Sequence, residues 1–130
     1  MFGDIDFPPH LEWEEKVCGK ADMNPCLPLW GGARLALLHE FIALGYKALI
    51  VRVNERKLSG KFLGRIIDGE VVGEFQKIGI DPCGEHGEYH TVVVDGPLFS
   101  GPLSVVTGSS PETECPGYCS LDVHVRVGKE

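Results

Sequence analysis

The stretch Asp81-Pro-Cys-Gly-Glu-His-Gly-Glu-Tyr-His-Thr91 gathers the side chains of this sequence best suited to acid–base chemistry. Glu85 and Glu88 alternate with His86 and His90, and Gly84 and Gly87 stand among them. Carboxylates supply hydrogen-bond acceptors, imidazoles can give or take a proton, and glycines let a backbone approach a ligand closely or adopt positive φ. The run Val92-Val-Val94 that follows reads as a strand closed by Asp95-Gly96-Pro97. A polar, glycine-rich loop at a strand end is a common place for a binding site in a protein that mixes helices and strands. The same residues also suit a surface turn whose acids simply face water, and residue types alone leave both uses open.

Several elements must position that loop. Met1 to Ile5 reads as a short strand, and Pro8-Pro9 then suits the first turn of a helix running through Trp13, Val17 and Ala21 to the region of Lys20. Cys26-Leu-Pro-Leu-Trp30 is a second short apolar segment. Arg34 to Leu44 carries the stripe Leu37, Leu38, Phe41 and Ile42 of an amphipathic helix, with Gly45 as its stop. Ala48-Leu-Ile-Val-Arg-Val53 is almost continuously apolar, the pattern of a strand covered on both faces. Asn54 to Gly64 reads as a loop pinned by Phe62 and Leu63. Asp68 can cap a helix that presents Val71, Val72, Phe75 and Ile78 and ends at Gly79. Thr91 to Val94 reads as a buried strand, Leu103 to Thr107 as a further strand, and Gly108 to Tyr118 as a loop. Leu121, Val123, Val125 and Val127 alternate with polar residues, so the last segment predicts a strand with one wet face.

With 130 residues, 43% hydrophobic and 24% charged, the composition is that of a globular protein with room for one hydrophobic core. A net charge of −7 argues against surfaces that attract phosphate backbones or anionic lipid, so neither nucleic acid nor membrane is expected as a partner. The longest uncharged apolar stretches fall far short of the ~20 residues that cross a bilayer. Met1 to Asp6 carries acids where a signal peptide carries basic residues, which predicts a cytoplasmic location. An odd count of 5 cysteines at irregular spacings favours free thiols over a disulfide framework.

The string Gly-Glu-His-Gly-Glu-Tyr-His-Thr, continued by Val-Val-Val-Asp-Gly-Pro-Leu-Phe, resembles the signature loop and strand of the diphthine–ammonia ligase (diphthamide synthase) family in its C-terminal half. These are PP-loop ATP pyrophosphatases with an adenine nucleotide alpha hydrolase-like fold. Phe2-Gly-Asp-Ile5, Pro28-Leu-Trp30, Glu40-Phe-Ile42 with Gly45, and Phe62-Leu-Gly-Arg65 with Ile67-Asp68 resemble further family motifs in the same order, so the likeness runs from Met1 to about Phe99. It implies an α/β chain in which residues 1–53 are the tail end of a Rossmann-like parallel sheet and residues 54–130 a smaller α+β substrate-side region. It also implies an ATP-dependent amidation, in which a carboxylate, diphthine on elongation factor 2 in the named activity, is adenylated and then attacked by ammonia. The positions it assigns to substrate binding are Gly84, Glu85, Gly87, Glu88, Tyr89 and Thr91, with Asp4, Arg65, His86 and His90 as further candidates. The loop acids would orient the amine or hold Mg²⁺.

His86 and His90 stand where archaeal and eukaryotic enzymes of this family carry glycine and glutamate, a pattern similar to that of bacterial relatives, which lack the diphthamide pathway. The family's Ser-Gly-Gly-Lys-Asp-Ser phosphate loop is missing, and Gly31-Gly32-Ala33-Arg34 lacks its lysine and hydroxyls. The chain is therefore expected to be a substrate-side portion that binds neither ATP nor Mg²⁺ alone. Its expected partners are an ATP-binding half encoded separately and a small-molecule or protein acyl substrate. The alternative is a free-standing, non-catalytic module that holds a metabolite or a protein on the same loop.

Other groups are weaker candidates. Cys115-Pro-Gly-Tyr-Cys119 with His124 offers three zinc-type donors, with Cys83 or His86 as a fourth, but structural zinc usually needs two closely spaced pairs, so no metal site is expected. Cys83 reads better as a small residue packed under the turn than as a nucleophile. Asp4 resembles the cleft-facing aspartate of the Gly-Asp-Ile motif and also suits a plain acid ahead of a helix. Trp13 and Trp30 are expected to fill core or subdomain contacts. Arg65 can hold a phosphate or carboxylate, or pair with Glu70 or Asp68.

Overall fold

The computed structural model describes residues 1–108, 112–113 and 117–126. It divides into two compact units, Met1–Leu37 and Leu38–Glu130.

In the first unit, Met1 to Ile5 joins no strand ladder among the described residues, which corrects the strand read from sequence. Its backbone is tied at two points instead: Phe2 N–H donates to Cys26 O at 2.9 Å, and Gly31 N–H donates to Ile5 O at 2.7 Å. Helix α1 follows over Pro8–Lys20, with proline in its first turn, where a missing N–H costs nothing. Asp6 accepts both Arg34 Nη2, at 2.6 Å, and Arg34 Nε, at 3.1 Å, in a fork that ties the approach to α1 to the start of α2 (Arg34–Ala43).

The second unit is built on β1 (Lys47–Asn54), which is bonded along both edges. One edge pairs antiparallel with β2 (Tyr89–Asp95), from Lys47↔Asp95 to Val53↔Tyr89. The other edge is shared. Its first half meets the segment around Ile66 through Ile50 N–H to Arg65 O and Ile67 N–H to Ala48 O, both 2.9 Å. Its second half pairs with β5 (Tyr118–Ser120), which in turn pairs with β4 (Glu112–Thr113). The strand order is β2-β1-β5-β4. A separate ribbon joins β3 (Ser104–Thr107) to β6 (Val123–Arg126).

Every strand pairing described is antiparallel, so the α/β character stands while a parallel sheet is not seen. Burial of the consecutive residues Ala48, Leu49 and Ile50 shows that both faces of β1 are covered, and such cover does not require parallel neighbours. Two further readings are corrected. Strand β4 lies within the segment read as a loop, and β5 starts at that segment's last residue, Tyr118; both are too short to show a period of two. Strand β2 is not buried throughout: His90, Thr91 and Val92 are exposed because β2 is the edge strand of its sheet.

Helix α3 (Gly69–Ile78) has the boundaries its sequence signals demand. Asp68 Oδ1 accepts Val71 N–H at 2.9 Å, and Gly79 ends the helix at φ +86°. Val71, Val72 and Phe75 are buried, while Ile78 is turned outward. Phe62, within the single 3-10 turn Gly60–Phe62, meets Phe75 with ring centroids 5.3 Å apart, and Phe75 stacks on Tyr89 at 5.2 Å. This aromatic column fixes α3 to the start of β2. Replacement of Phe75 by alanine should lower the unfolding free energy by about 3–5 kcal/mol, and Asp68→Ala by about 1 kcal/mol, both read from urea denaturation midpoints.

Candidate functional site

The loop from Asp81 to Tyr89 lies between α3 and β2 and is built from the inside outwards. Glu88 is 2% exposed; its Oε2 accepts Asp81 N–H at 3.0 Å. Its other oxygen, Oε1, is buried with no hydrogen-bond partner. The Glu88 carbonyl accepts Asn54 N–H at 2.9 Å, which couples the loop end to the end of β1. Asp81 then organises the turn: Oδ1 accepts Cys83 N–H at 3.1 Å and Oδ2 accepts Glu85 N–H at 3.0 Å. This is an Asx turn, in which a short carboxylate takes the place of a backbone carbonyl.

Tyr89 completes the frame by donating its hydroxyl to Pro82 O beneath the turn. Burial, reinforced by the charges of Cys83, Asp81, Glu88 and Glu85, pushes the Tyr89 phenol above its ordinary value of 10.0, so it stays a neutral donor. Gly84 sits against this ring at φ +67°, where an added Cβ would lie 2.9 Å from Tyr89 Cε1. Glycine is thus required there on two counts, backbone conformation and space. Lys57 Nζ donates to His86 O at 2.7 Å and anchors the tip of the loop from the far side of Asn54.

The residues singled out in the sequence consequently divide. Glu88 and Tyr89 are buried and hold the loop, whereas Glu85, His86, His90 and Thr91 are exposed, and Gly84 and Gly87 form the bends at positive φ. His90 lies opposite Arg52 in the β1–β2 register and Thr91 opposite Ile50. Arg65 lies across β1 from Thr91, two strand spacings or about 10 Å of backbone away. Its guanidinium is engaged by Glu74 Oε2 at 2.6 Å and lies 5.2 Å from the Phe62 ring centroid, so its partner is neither Glu70 nor Asp68. Asp4 belongs to the first unit. There its carboxylate meets His10 Nδ1 at 2.7 Å, and hydrogen bonds from His10 and then Glu14 lower its pKa. Sequence reading passed over Asp81, Asn54 and Lys57 as supports. The Asp-Pro-Cys turn signature was the available signal for the first.

The Gly31-Gly32 pair is not open to a phosphate group. The N–H groups of Gly31 and Gly32 are already spent on Ile5 O and Leu29 O, and a Cβ on Gly32 would lie 2.9 Å from Leu37 Cδ1. This glycine pair serves close packing rather than a phosphate cradle. Among the described residues no group of three or more His, Cys, Asp or Glu side chains is placed to hold a metal ion. Cys115 of the zinc candidate lies outside the described residues. Cys119 is a buried thiol, its pKa raised by burial and then by Glu55, and His124 Nε2 lies 3.4 Å from Asp122 Oδ2. Cys18, Cys26 and Cys119 are free thiols.

Residues 33–127 match the family model of the diphthamide synthase C-terminal domain. The chain belongs to that family. Diphthine–ammonia ligase of Rattus norvegicus is 34% identical over 101 residues, which are 74% of this chain and 38% of the rat protein. The enzyme of the same name from Homo sapiens is 34% identical over 95 residues, 70% of this chain and 36% of its own. That of Schizosaccharomyces pombe is 29% identical over 116 residues, 87% of this chain and 19% of its own. The chain thus spans little more than a third of the animal relatives, and the match takes in the sheet, the aromatic column and the loop of the second unit.

The loop's dependence on neutral Tyr89 has a measurable consequence. Because its pKa is raised in the folded state, that state holds a proton the unfolded chain releases above pH 10, so stability should fall as pH rises beyond that point. The slope should approach about 1.4 kcal/mol per pH unit, and Tyr89→Phe should abolish it in denaturation curves recorded from pH 9 to 12. An unchanged slope in that variant would place the Tyr89 phenol in water.

Proposed function

We propose that this chain is the substrate-side portion of an ATP-dependent, amide-forming ligase of the diphthine–ammonia ligase type. The observation that carries the reading is the loop itself: a frame of half-buried Asp81 and buried Glu88 and Tyr89 supports the exposed Glu85, His86 and His90 within the region matched by the family. Preorganised polar groups of this kind are what a group-transfer site requires, because they cost no reorganisation when the substrate arrives.

On this reading, amide formation asks two things of the chain. An amine must be held close to the acyl carbon, and a proton must leave it before it can attack. The exposed Glu85 carboxylate binds the cationic form of the amine, and the imidazoles of His86 and His90 accept its proton. The Gly84 and Gly87 bends and Thr91 let the acyl group approach the backbone. ATP and Mg²⁺ belong to a phosphate-loop portion such as the remaining length of the longer relatives supplies, and this chain contributes no step to nucleotide chemistry. In that assembly residues 1–53 form the tail of a Rossmann-like domain and residues 54–130 the substrate side. Histidine at positions 86 and 90, as in bacterial relatives, suits an acyl substrate other than diphthine, and we place the protein in the cytosol.

The purified chain should leave ATP unbound in titration calorimetry. Mixed with a phosphate-loop portion, ATP, ammonium and the acyl substrate, it should release amide, and Glu85→Ala should lower kcat/KM by about a hundredfold. Tight ATP binding by the isolated chain, or full activity of Glu85→Ala, contradicts the proposal. Acyl-compound binding without amide formation points to the non-catalytic module.

A further inference from the structure

Asp4, His10 and Glu14 form a line of titratable groups in the first unit, none of them part of the Asp81 to Tyr89 loop. Asp4 Oδ1 lies 2.7 Å from His10 Nδ1, and the two side chains are 24% and 59% exposed. His10 and Glu14 stand four residues apart on α1, so they share one face of the helix. Glu14 is the residue that α1 buries, at 3% exposed, and its Oε2 is buried with no hydrogen-bond partner. Its carboxyl group also hydrogen-bonds with the Asp4 side chain, so Asp4 joins a buried acid to an exposed imidazole.

The surroundings drive the two acids in opposite directions. Hydrogen bonds from His10 and then Glu14 hold the Asp4 carboxyl below the ordinary carboxylate range, so Asp4 is an anion and an acceptor at neutral pH. Burial, and then the hydrogen bond and charge of Asp4, push the Glu14 carboxyl up, which favours the protonated form that donates to Asp4. Neighbouring groups whose titrations are pulled apart in this way mark divided acid and base roles.

An anionic Asp4 also settles the ring of His10. With Asp4 as the acceptor, Nδ1 carries a proton and Nε2 keeps its lone pair when the ring is neutral. Nε2 has no hydrogen-bond partner among the described residues, and more than half of the side chain faces water, so this nitrogen is open to a small substrate. Phe7 meets the ring edge-on at a centroid distance of 4.7 Å, and Pro8 and Pro9 restrict the backbone just before it. An imidazole oriented by a carboxylate, which a third group holds in turn, is the arrangement of a general base.

We infer that His10 is a general base, oriented by Asp4 and Glu14, whose substrate is the cationic form of a small amine. Its place in amide formation rests on the function proposed above. An amine that arrives as its cation sheds two protons on becoming an amide, so the reaction uses two acceptors. His10 Nε2 takes the first, which leaves the neutral amine and an imidazolium paired with Asp4. The lone pair of the amine then forms the C–N bond as the bond from the acyl carbon to its leaving group breaks, and the second proton passes to a loop imidazole. Asp4 and Glu14 are positioning residues and touch no substrate.

Nitrogen–proton correlation NMR of the histidine rings tests the orientation in the full chain. Neutral His10 should be in the Nδ1–H form, and Asp4→Asn should give a mixture of tautomers. An Nε2–H ring in the unsubstituted chain overturns the inference. The chemistry is tested with p-nitrophenyl acetate and ammonium chloride, read as acetamide by mass spectrometry. The chain should form acetamide faster than buffer alone, and His10→Ala should cut that enhancement at least about tenfold. His39→Ala, at an exposed position of α2, should keep it. His10→Gln gives a second test of the same loss should His10→Ala fail to fold. Acetamide formation no faster than in buffer, or undiminished in a folded His10 variant, overturns the inference. Acetamide formation through His10 without ATP-driven amide formation by the assembly with a phosphate-loop portion counts against the functional reading and leaves the base in place.

Discussion

The stacking of Tyr89 on Phe75 is the contact on which the candidate site depends. It joins α3, which is capped and closed by its own sequence, to the first residue of β2, and so fixes where the preceding loop must end. From that point the polar frame is built inwards, with the Tyr89 hydroxyl on Pro82 O, the Glu88 carboxylate on Asp81 N–H, and the Asp81 carboxylate on the N–H groups of Cys83 and Glu85. All but the exposed bond from Glu85 N–H are partly sheltered from water, where a satisfied hydrogen bond holds geometry most firmly. Loop shape therefore comes from side chains held against the protein, while Glu85, His86 and His90 are exposed.

Much of this was legible in the residues. Asp68 and Gly79 mark the ends of α3, Pro8 and Pro9 mark the start of α1, and Ala48 to Val53 marks the central strand, because caps, prolines and branched apolar runs act locally. The glycine-rich acidic loop and its family likeness were also visible. Strand pairing was not, since antiparallel and parallel neighbours can cover a strand equally well and the partner is chosen by residues far away in sequence. Burial within the loop was hidden for the same reason. Nothing in Gly-Glu-His-Gly-Glu-Tyr distinguishes Glu85, which faces water, from Glu88, which is buried; only the ladder to Asn54 and the aromatic column decide. Arg65 likewise meets Glu74, a turn further along α3 than the acids nearest to it in sequence.

The two halves of the chain differ in how complete they are. In the second unit the core residues Ile50, Val53, Phe62 and Phe75 are fully buried, and β1 has neighbours on both edges. The first unit buries a glutamic acid and exposes a tryptophan, and Met1–Ile5 joins no ladder among the described residues. Physical completeness thus follows the match to the C-terminal domain family, which takes in the whole second-unit sheet and leaves residues 1–32 outside. Gly31 and Gly32 repeat the lesson on a small scale. Their sequence lacks the lysine and hydroxyls of a phosphate loop, and their N–H groups and the space around them are already used.

Amide hydrogen exchange at Asp81 and Glu85, followed by NMR in the unsubstituted chain and in Glu88→Gln, tests most directly whether the loop is held by its buried frame. Both amides should exchange slowly in the unsubstituted chain, and in Glu88→Gln both should lose protection together, because the Glu85 bond relies on an Asp81 that Glu88 holds in place. A Glu85 amide that exchanges at the rate of a free loop in the unsubstituted chain, or that keeps its protection in Glu88→Gln, would contradict the account.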